Sequence, residues 1–382
     1  MPPDIEFQAF SHIASNRTGT GLMGFDNTLT LPVPVIIVSY KNPDDLLECL
    51  SALSLMAHEP AFDIYVCENG GAAAFEDLCN RVSAKSDMFT ASDAPPPCAV
   101  AGFGKVQSYL LEGALPRLTI GLAHENLGYG GGVNAWLRPL AAAADWPGAF
   151  ILNPDAAPTP DALRHLMSYA QNNRRGMVTG RIVLTETPEF IQTRGLRWNP
   201  WRASNISVDR HARSDLRPDP ARIEGMIDSP SGAAIYVSRM CLNQIGFMKE
   251  TYFLYYEDVD WGMRAKSACG LGYAFDAVVY HKGGTTIGGG SRRTAAPLSV
   301  FLEFRNRLLF VSDCKRGWLP WTLVISLIRA LEFALVGRPM MTRVALRGIF
   351  EGLVGRDGRP DHILSTYRAR SDRATSAPAA RR

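Results

Sequence analysis

Residues 252–264, YFLYYEDVDWGMR, concentrate the acidic side chains that could do chemistry. Glu257 and Asp258 are adjacent, and Asp260 follows two residues later, at the start of a predicted helix behind a predicted aromatic strand. The helix dipole favours acidic residues in a first turn, which accounts well for one carboxylate but poorly for three. Crowded carboxylates have raised pKa values, which suit a general base or a metal partner.

A histidine and an aspartate at predicted strand ends form a second candidate pair. His281 ends a strand predicted over residues 277–281, and Asp155 follows a strand predicted over residues 149–152. A single histidine is more often structural than a metal ligand. At a strand end, in a chain that also offers Asp155, a ligand role competes with the structural one.

These side chains need a scaffold, and the hydrophobic pattern predicts an α/β sheet. Apolar runs rich in β-branched residues predict strands at residues 33–38, 62–67, 118–123 and 149–152. Helical patterns alternate with them, which predicts a doubly wound parallel sheet with ligands outside the strands' carboxyl ends. Each polar turn there is by itself ordinary turn chemistry. The polar residues predicted at those ends are Ser39, Tyr40, Glu68, Asn69, Asn126 and Asp155.

A glycine-rich turn at residues 128–132 opens a predicted helix and excludes common nucleotide motifs. Val133 stands where a dinucleotide-binding G-x-G-x-x-G needs its last glycine. The chain also has no G-x-x-x-x-G-K-[ST] phosphate loop and no G-x-S-x-G nucleophile elbow. The turn still offers free backbone N–H groups to an anion.

Composition and charge limit the classes of function. The 382 residues carry a net charge of +3, too small for nucleic-acid binding across the surface, and 46% hydrophobic residues exclude a disordered chain. Residues 338–382 hold ten arginines against four acidic residues. Seven dispersed cysteines predict reduced thiols in a cytosolic protein. Neither a signal peptide nor a clean membrane span is expected.

Seven segments in order resemble a known enzyme family, over about residues 32–310. They are VPVIIVSYKNPDDLLECLSAL, IYVCENGG, ENLGYGGGVNAW, FILNPDAAPTPDAL, SGAAIYVSR, FLYYEDVDWGMRAKSACG and YHKGG. Together they resemble the family 2 inverting glycosyltransferases, and more narrowly a rhamnosyltransferase-like bacterial branch. The resemblance implies a GT-A type fold, in which a Rossmann-like nucleotide-binding half joins an acceptor-binding half. The predicted α/β alternation agrees with that fold.

The resemblance also implies roles for individual residues. Asp258 matches the catalytic base, and Asp155 and His281 match ligands of a divalent cation, Mg²⁺ or Mn²⁺. The residues implied to bind the nucleotide sugar are Ser39, Tyr40, Asn42, Glu68, Asn126, Gly128, Gly131, Asn134, Asn153 and Asp155. Those implied to line the sugar and acceptor pocket are Ser231, Gly232, Glu257 and Trp261.

Two positions depart from the pattern of that family. Asn153 stands at the first position of the D-x-D metal motif, which removes an anionic contact and weakens the case for metal binding. Glu68 replaces the usual aspartate, and its additional methylene shifts a base or ribose contact by about a bond length.

The C-terminal part leaves two interpretations open. Residues 318–336 are apolar except for four polar residues within one helical arc, Thr322, Ser326, Arg329 and Glu332. The predicted amphipathic helix either packs on the core or, with the arginine-rich stretch after it, binds an anionic membrane surface. Likewise, the FRNR sequence at residues 304–307 is either a helix surface or a substrate-phosphate contact.

The expected organisation follows from these patterns. It comprises an irregular lead-in at 1–31, a GT-A domain at 32–315 with a nucleotide-sugar half at 32–157 and an acceptor half at 158–315, an amphipathic helical region at 316–370 and a disordered tail at 371–382.

The predicted function is inverting transfer of a sugar, with dTDP-L-rhamnose the favoured donor, to a glycan or lipid-linked acceptor in bacterial surface polysaccharide synthesis. A UDP- or GDP-sugar donor and an inactive nucleotide-sugar-binding module or scaffold are alternatives. A nucleotidyltransferase needs a basic glycine-rich loop after the first strand, and residues 39–42 lack glycine. No nucleic-acid partner is expected. The predicted location is cytoplasmic, with peripheral contact at the inner face of the membrane.

Overall fold

A computed structural model describes residues 31–57, 59–111, 116–143, 145–283 and 292–365. The predicted lead-in, apart from Leu31, and the predicted tail at residues 371–382 lie outside the described residues.

Strands and helices alternate through the first half of the described chain. The strands are β1 Val33–Ser39, β2 Phe62–Glu68, β3 Phe89–Ser92, β4 Phe103–Leu111, β5 Arg117–Ala123, β6 Gly148–Leu152, β7 Ala156–Pro158, β8 Met177–Leu184, β9 Ile191–Thr193, β10 Leu196–Asn199, β11 Ser204–Ser207, β12 Ala234–Ser238 and β13 Leu271–His281. The helices are α1 Pro43–Ser54, α2 Ala72–Ser83, α3 Gly128–Ala143, α4 Ala162–Asn172, α5 Pro220–Met226, α6 Arg239–Ile245, α7 Glu257–Ala268, α8 Pro297–Cys314, α9 Leu319–Leu335 and α10 Pro339–Leu353. Single 3₁₀ turns lie at Glu250–Tyr252 and Arg316–Trp318.

An eleven-stranded sheet runs in the order β3-β4-β5-β2-β1-β6-β12-β8-β13-β7, with β9 paired to β8. Strands β5, β2, β1 and β6 are parallel to one another. All seven residues of β1 are buried, which explains its continuous apolar sequence. The predicted α/β fold class is confirmed.

The sheet is mixed rather than wholly parallel, which corrects the all-parallel strand arrangement expected from the hydrophobic pattern. Strands β4, β12 and β7 run antiparallel to their neighbours. The hydrophobic pattern does not predict β4, because this strand is partly exposed and its side chains lack a continuous apolar run.

Side chains of β1 alternate between two hydrophobic cores on opposite faces of the sheet. Val35 and Ile37 pack on one side with α1, α2 and α4. Ile36 and Val38 pack on the other with α3, α6 and α7. Because helices cover both faces, the open position for a polar ligand is the carboxyl edge of the strands.

Helix α9 packs on α8 with its polar side toward the protein. Thr322 and Ser326 are fully buried, whereas Leu327, Ile328 and Leu331 are exposed. The predicted polar arc therefore exists, but two of its four members face the core.

Cys241 and Cys269 are joined by a disulfide, with their Cα atoms 5.7 Å apart. This pairing corrects the expectation of seven unpaired thiols. The two residues are 28 positions apart in sequence and meet because α6 packs against α7. The spacing of the cysteines in the sequence could not reveal this pairing, because it depends on how α6 packs against α7.

Candidate active site

A cavity of about 310 Å³ opens where β1, β2 and β6 end. Eleven of the predicted site residues line it: Tyr40, Asn42, Asn126, Gly128, Asn153, Asp155, Ser231, Gly232, Glu257, Asp258 and His281. Five predicted residues do not: Ser39, Glu68, Gly131, Asn134 and Trp261.

Two adjacent carboxylates in the cavity wall have different surroundings. Asp258 is half-buried; its Oδ2 accepts from the Gly232 backbone N–H at 2.9 Å, and its Oδ1 accepts from that of Val259 at 2.8 Å. Burial raises the pKa of Asp258, and these hydrogen bonds oppose the rise. Glu257 is buried, and its Oε2 has no hydrogen-bond partner within the described part of the chain. Burial, followed by the charge of Asp258, raises the pKa of Glu257 to about 8.

The loop that delivers these carboxylates is not the predicted aromatic strand. After the 3₁₀ turn, Phe253, Tyr255 and Tyr256 have φ angles of 66°, 71° and 79°. Bulky residues in this left-handed region cost about 1 kcal/mol or more each, so their surroundings must hold them there. A continuous aromatic and apolar run predicts a strand in sequence, but the carbonyl groups of Tyr252, Leu254 and Tyr255 bond to a helix instead.

The supporting helix is α8, through the Arg305-Asn306 pair of the FRNR sequence. Asn306 Nδ2 donates to the Tyr252 and Leu254 carbonyl oxygens at 2.9 and 2.8 Å. It also donates to the Tyr255 carbonyl at 3.0 Å, and Arg305 Nη2 donates to that of Tyr252 at 2.9 Å. Both side chains are buried, so the helix-surface interpretation is wrong. Neither side chain lines the cavity, and a phosphate contact stays a prediction.

Asp155 and His281 meet in the cavity wall, with Asp155 Oδ1 3.1 Å from His281 Nε2. Asn153 Nδ2 lies 3.4 Å from the same Nε2. His281 Nδ1 lies 2.9 Å from Gln192 Oε1; because an amide oxygen only accepts, Nδ1 carries the proton in this arrangement. The Nε2 lone pair then faces Asp155, and a carboxylate beside an imidazole lone pair fits a divalent cation.

The charge state of Asp155 also suits a cation. Burial raises the pKa of this carboxyl, whereas a second proton on His281, at Nε2, would lower it through a hydrogen bond and a positive charge; a cation in the place of that proton would act on Asp155 in the same direction. No group of three or more His, Cys, Asp or Glu ligands occurs among the described residues. A cation here would therefore have two protein ligands, with oxygens of water or phosphate completing its shell.

Similar proteins of known function cover most of the chain. The N-acetylglucosaminyl-diphospho-decaprenol L-rhamnosyltransferase of Mycobacterium tuberculosis is 26% identical over 347 residues, which are 82% of this chain and 96% of that protein. The low-salt glycan biosynthesis hexosyltransferase Agl10 of Haloferax volcanii is 23% identical over 362 residues, 89% of this chain and 98% of that protein. The chain is a glycosyltransferase by homology. This confirms the resemblance found in the sequence.

Other comparisons with the transferase are distant. No protein-family model matches the chain. The structure of GalNAc-T7 with UDP, GalNAc and Mn²⁺ aligns with a TM-score of 0.46 at 11% identity, over 67% of this chain and 44% of that one. Residues 1–349 of S. aureus TarS align with a TM-score of 0.41 at 12% identity, over 79% of this chain and 72% of that one.

Of the five predicted residues that do not line the cavity, Ser39 and Glu68 stabilise the turn between β1 and α1. Ser39 Oγ donates to Asn42 Oδ1 at 3.1 Å, which fixes the turn between β1 and α1. Glu68 is buried, and its Oε1 accepts from the Gly70 backbone N–H at 2.6 Å and from that of Lys41 at 3.3 Å. The Glu68 carboxylate holds two loops of the transferase together rather than lining the cavity.

The other three lie in the packing behind the cavity. Gly131 packs on Leu127, where a Cβ atom would come within 2.9 Å of the leucine Cβ. Asn134 Nδ2 donates to the Met248 carbonyl at 2.9 Å. Trp261 is fully buried, with its Nε1 donating to the Gly246 carbonyl at 2.8 Å, so this ring packs in the core instead of a sugar pocket.

Sequence reasoning missed three residues of the site. Asn69 was placed at a strand end without a role; its Oδ1 accepts from the Leu127 N–H at 3.2 Å and its Nδ2 donates to the Gly128 carbonyl at 2.9 Å. Tyr129 donates its hydroxyl to the Gly232 carbonyl at 2.8 Å. Gln192 contacts His281 from β9, a three-residue strand with no sequence signal.

Proposed function

We propose that the transferase moves a sugar from a nucleotide-diphosphate donor to an acceptor hydroxyl with inversion, and that Asp258 is the base. The observation that carries this proposal is that Asp258 lines one cavity together with Asp155 and His281, held by two backbone N–H groups. The acceptor oxygen bonds to the anomeric carbon as its proton passes to Asp258. The bond from that carbon to the diphosphate oxygen breaks, and the electron pair leaves with the diphosphate.

Asp155 and His281 are proposed to hold Mg²⁺ or Mn²⁺ beside the donor diphosphate. Such an ion supplies positive charge for the leaving group, so the diphosphate needs no acid to protonate it. The role of His281 Nε2 is supported by the contact of Nδ1 with Gln192. Asn153 lies within hydrogen-bond reach of the same imidazole, where it can orient a ligand or a ribose hydroxyl without supplying charge.

The donor and acceptor are proposed in two parts of the cavity. Tyr40, Asn42, Asn126 and Gly128 lie at the strand ends, which is the expected position for the nucleotide. The Oε2 atom of Glu257 has no hydrogen-bond partner among the described residues. It can therefore form a hydrogen bond with a hydroxyl group of the donor sugar or of the acceptor molecule. A protonated Glu257 avoids a second buried charge beside Asp258.

The favoured substrates are dTDP-L-rhamnose and a glycan or lipid-linked acceptor in surface polysaccharide synthesis. The mycobacterial relative supports this choice, because its name specifies transfer of L-rhamnose to a decaprenol-linked sugar. We further propose a cytoplasmic enzyme that works at the inner face of the membrane. The halves at residues 32–157 and 158–315 would bind donor and acceptor respectively.

Turnover by the Asp258→Asn variant tests the proposal. With dTDP-L-rhamnose, a polyprenyl-diphosphate-linked N-acetylglucosamine and Mn²⁺, we expect turnover to fall roughly 10²–10⁴-fold, because the base is lost. The binding of a nucleoside diphosphate, measured by thermal shift, should be unchanged. The matched control Asp87→Asn changes an exposed aspartate and should keep full activity. A near-normal rate for Asp258→Asn would move the base to Glu257 or Asp260.

The alternatives make different predictions in the same assay. UDP- or GDP-sugars in place of dTDP-L-rhamnose test the nucleotide directly, with product mass as the readout. An inactive binding module would bind nucleotides but release no diphosphate with any donor and acceptor.

A further inference from the structure

Helix α9 carries an outward apolar stripe with no partner in the described chain. Leu327, Ile328, Leu331 and Leu335 are 40%, 51%, 58% and 85% exposed. With Val324, which is 46% exposed, they fall within an arc of about 100° at the α-helical period. A water-facing helix normally places such a stripe against the protein, whereas α9 exposes it on its outward side.

The inward side of α9 combines the apolar residues Ala330 and Phe333 with the buried polar residues Thr322 and Ser326. Ser326 Oγ lies 3.4 Å from Arg307 Nη1, and Arg307 also pairs with Glu303 at 2.5 Å. Arg307 is fully buried and stacks on Phe304. Rotating the helix to bury its leucines would expose Ala330 and Phe333 and separate Ser326 from Arg307, which opposes that rotation.

The helix is long and apolar enough to cross a membrane by length and composition, over Arg316–Leu335. Its polar side, however, is packed against α8 of the same chain. A helix held along one side in this way can lie in the interface of a bilayer with its free side in the acyl region.

Helix α10 adds a second apolar row with basic neighbours. Leu346, Phe350 and Leu353 are exposed and lie on one side of the helix. Arg343 and Arg347 are exposed beside this row. In a membrane leaflet, anionic headgroups lie above apolar acyl chains. The arginines therefore match the headgroups, and the apolar row next to them matches the acyl chains.

An aromatic cluster at the start of α9 points to the same occupant. Trp201 is exposed, and its ring lies 5.1 Å from that of Trp318 and 6.1 Å from that of Trp321. The neighbouring Lys315 and Arg316 are exposed. Tryptophan and basic residues together are typical of the headgroup level of a membrane.

We propose that the outward stripe of α9 inserts into the surface of an anionic bilayer leaflet. This inference deepens the proposed function, on which it rests for its purpose, because a lipid-linked acceptor would be held at that surface. It differs from attraction of an arginine-rich tail alone, since apolar insertion persists when salt screens the charges. A protein partner or a second copy would use the apolar stripe without needing the basic and tryptophan border.

The test is vesicle flotation of the full chain, without donor or acceptor. Wild type should bind vesicles of phosphatidylcholine mixed with phosphatidylglycerol and retain part of that binding at about 1 M NaCl, where the Debye length is about 3 Å. The triple variant Leu327→Glu, Ile328→Glu, Leu331→Glu should bind at least roughly tenfold more weakly, because it places charge in the acyl region. All three positions are exposed, so the fold should tolerate the changes.

The matched control replaces three exposed apolar residues elsewhere, Leu55→Glu, Leu216→Glu and Met240→Glu, and should bind like wild type. Thermal shift with a nucleoside diphosphate shows that each variant is folded. Equal binding by both triple variants, or none by wild type, would overturn the proposal, and so would a dimer that the α9 variant dissociates in the absence of lipid. Vesicle binding by an enzyme that transfers no sugar would refute the proposed function alone.

Discussion

Adjacent carboxylates become chemically different because their side chains meet different partners. Asp258 accepts two backbone N–H groups, which favour its ionised form, whereas Glu257 Oε2 has no partner among the described residues. The pKa of Glu257 is raised to about 8, so at neutral pH we expect a protonated Glu257 beside an ionised Asp258. The sequence identifies the crowding but not which carboxylate is ionised, because that depends on a glycine N–H 26 residues away.

The protonation of Glu257 predicts a pH dependence of stability. Burial and the charge of Asp258 raise the pKa from 4.5 to about 8, so the folded chain keeps a proton that the unfolded chain releases. Folding stability must therefore fall as pH rises through that window. Glu257→Gln has no such proton. We expect the difference in free energy of unfolding, variant minus wild type, to increase by roughly 1–3 kcal/mol between about pH 5 and pH 8.

Urea unfolding at both pH values measures this gain. Glu186→Gln changes an exposed glutamate and should follow wild type at each pH. If the free energies of unfolding of wild type and Glu257→Gln change equally with pH, Glu257 is ionised in the folded protein.

Gln192 is predicted to orient the proposed metal ligand. Its Oε1 lies 2.9 Å from His281 Nδ1, which leaves Nε2 free to bind a cation. Gln192→Ala should weaken Mn²⁺ binding in the presence of nucleoside diphosphate by roughly 10–100-fold, and Gln192→Glu should restore much of it. Electron paramagnetic resonance of free Mn²⁺ gives the affinity. Gln171→Ala, at an exposed position of α4, is the control, and unchanged affinity for Gln192→Ala would contradict the role.

At the scale of elements, the sequence predicts the buried parallel strands but not the loop at residues 252–256 that precedes the proposed base. The run at residues 33–38 is apolar because both faces of β1 are covered, so its sequence alone identifies it. The loop at residues 252–256 has a conformation imposed by α8, about 50 positions downstream. Local propensity favours extended aromatic residues there, and three carbonyl contacts with Asn306 override it.

Asn306→Ala tests whether this support positions the carboxylates. Loss of the amide removes the Asn306 hydrogen bonds to three carbonyl groups, of which only that of Tyr252 keeps its bond from Arg305, so we expect a stability loss of about 1–3 kcal/mol. The loop should also relax, and kcat should fall by roughly tenfold or more, while nucleoside diphosphate affinity, set at the other strand ends, changes little. Steady-state kinetics with nucleotide titration separates the two effects. The control Asn80→Ala lies at an exposed position of α2. A merely structural Asn306 would lower stability with kcat intact.

At the scale of the described molecule, the proposed donor and acceptor halves share one sheet. Strand β6 of the first half pairs with β12 of the second, from Ala234 opposite Leu152 to Ser238 opposite Gly148. Strand β7, which crosses the boundary between the halves, pairs with β13 of the second. The division at residue 157 is therefore one between proposed binding roles and not between folding units, which the sequence could not show because these pairings join distant segments.

This shared sheet predicts one cooperative unfolding transition for the full chain. Separating the halves would expose the buried backbone edge of β6, whose five residues are all buried, and the apolar side chains on both faces. Circular dichroism and tryptophan fluorescence should therefore report the same urea midpoint. Residues 31–157 expressed alone should fail to give a cooperative transition, because β6 would lose β12. Saturating nucleoside diphosphate with Mn²⁺ should move both probes together, since ligand binding stabilises whatever unfolds as a unit. Two separate midpoints, of which only one responds to nucleotide, would instead show that the donor half folds independently.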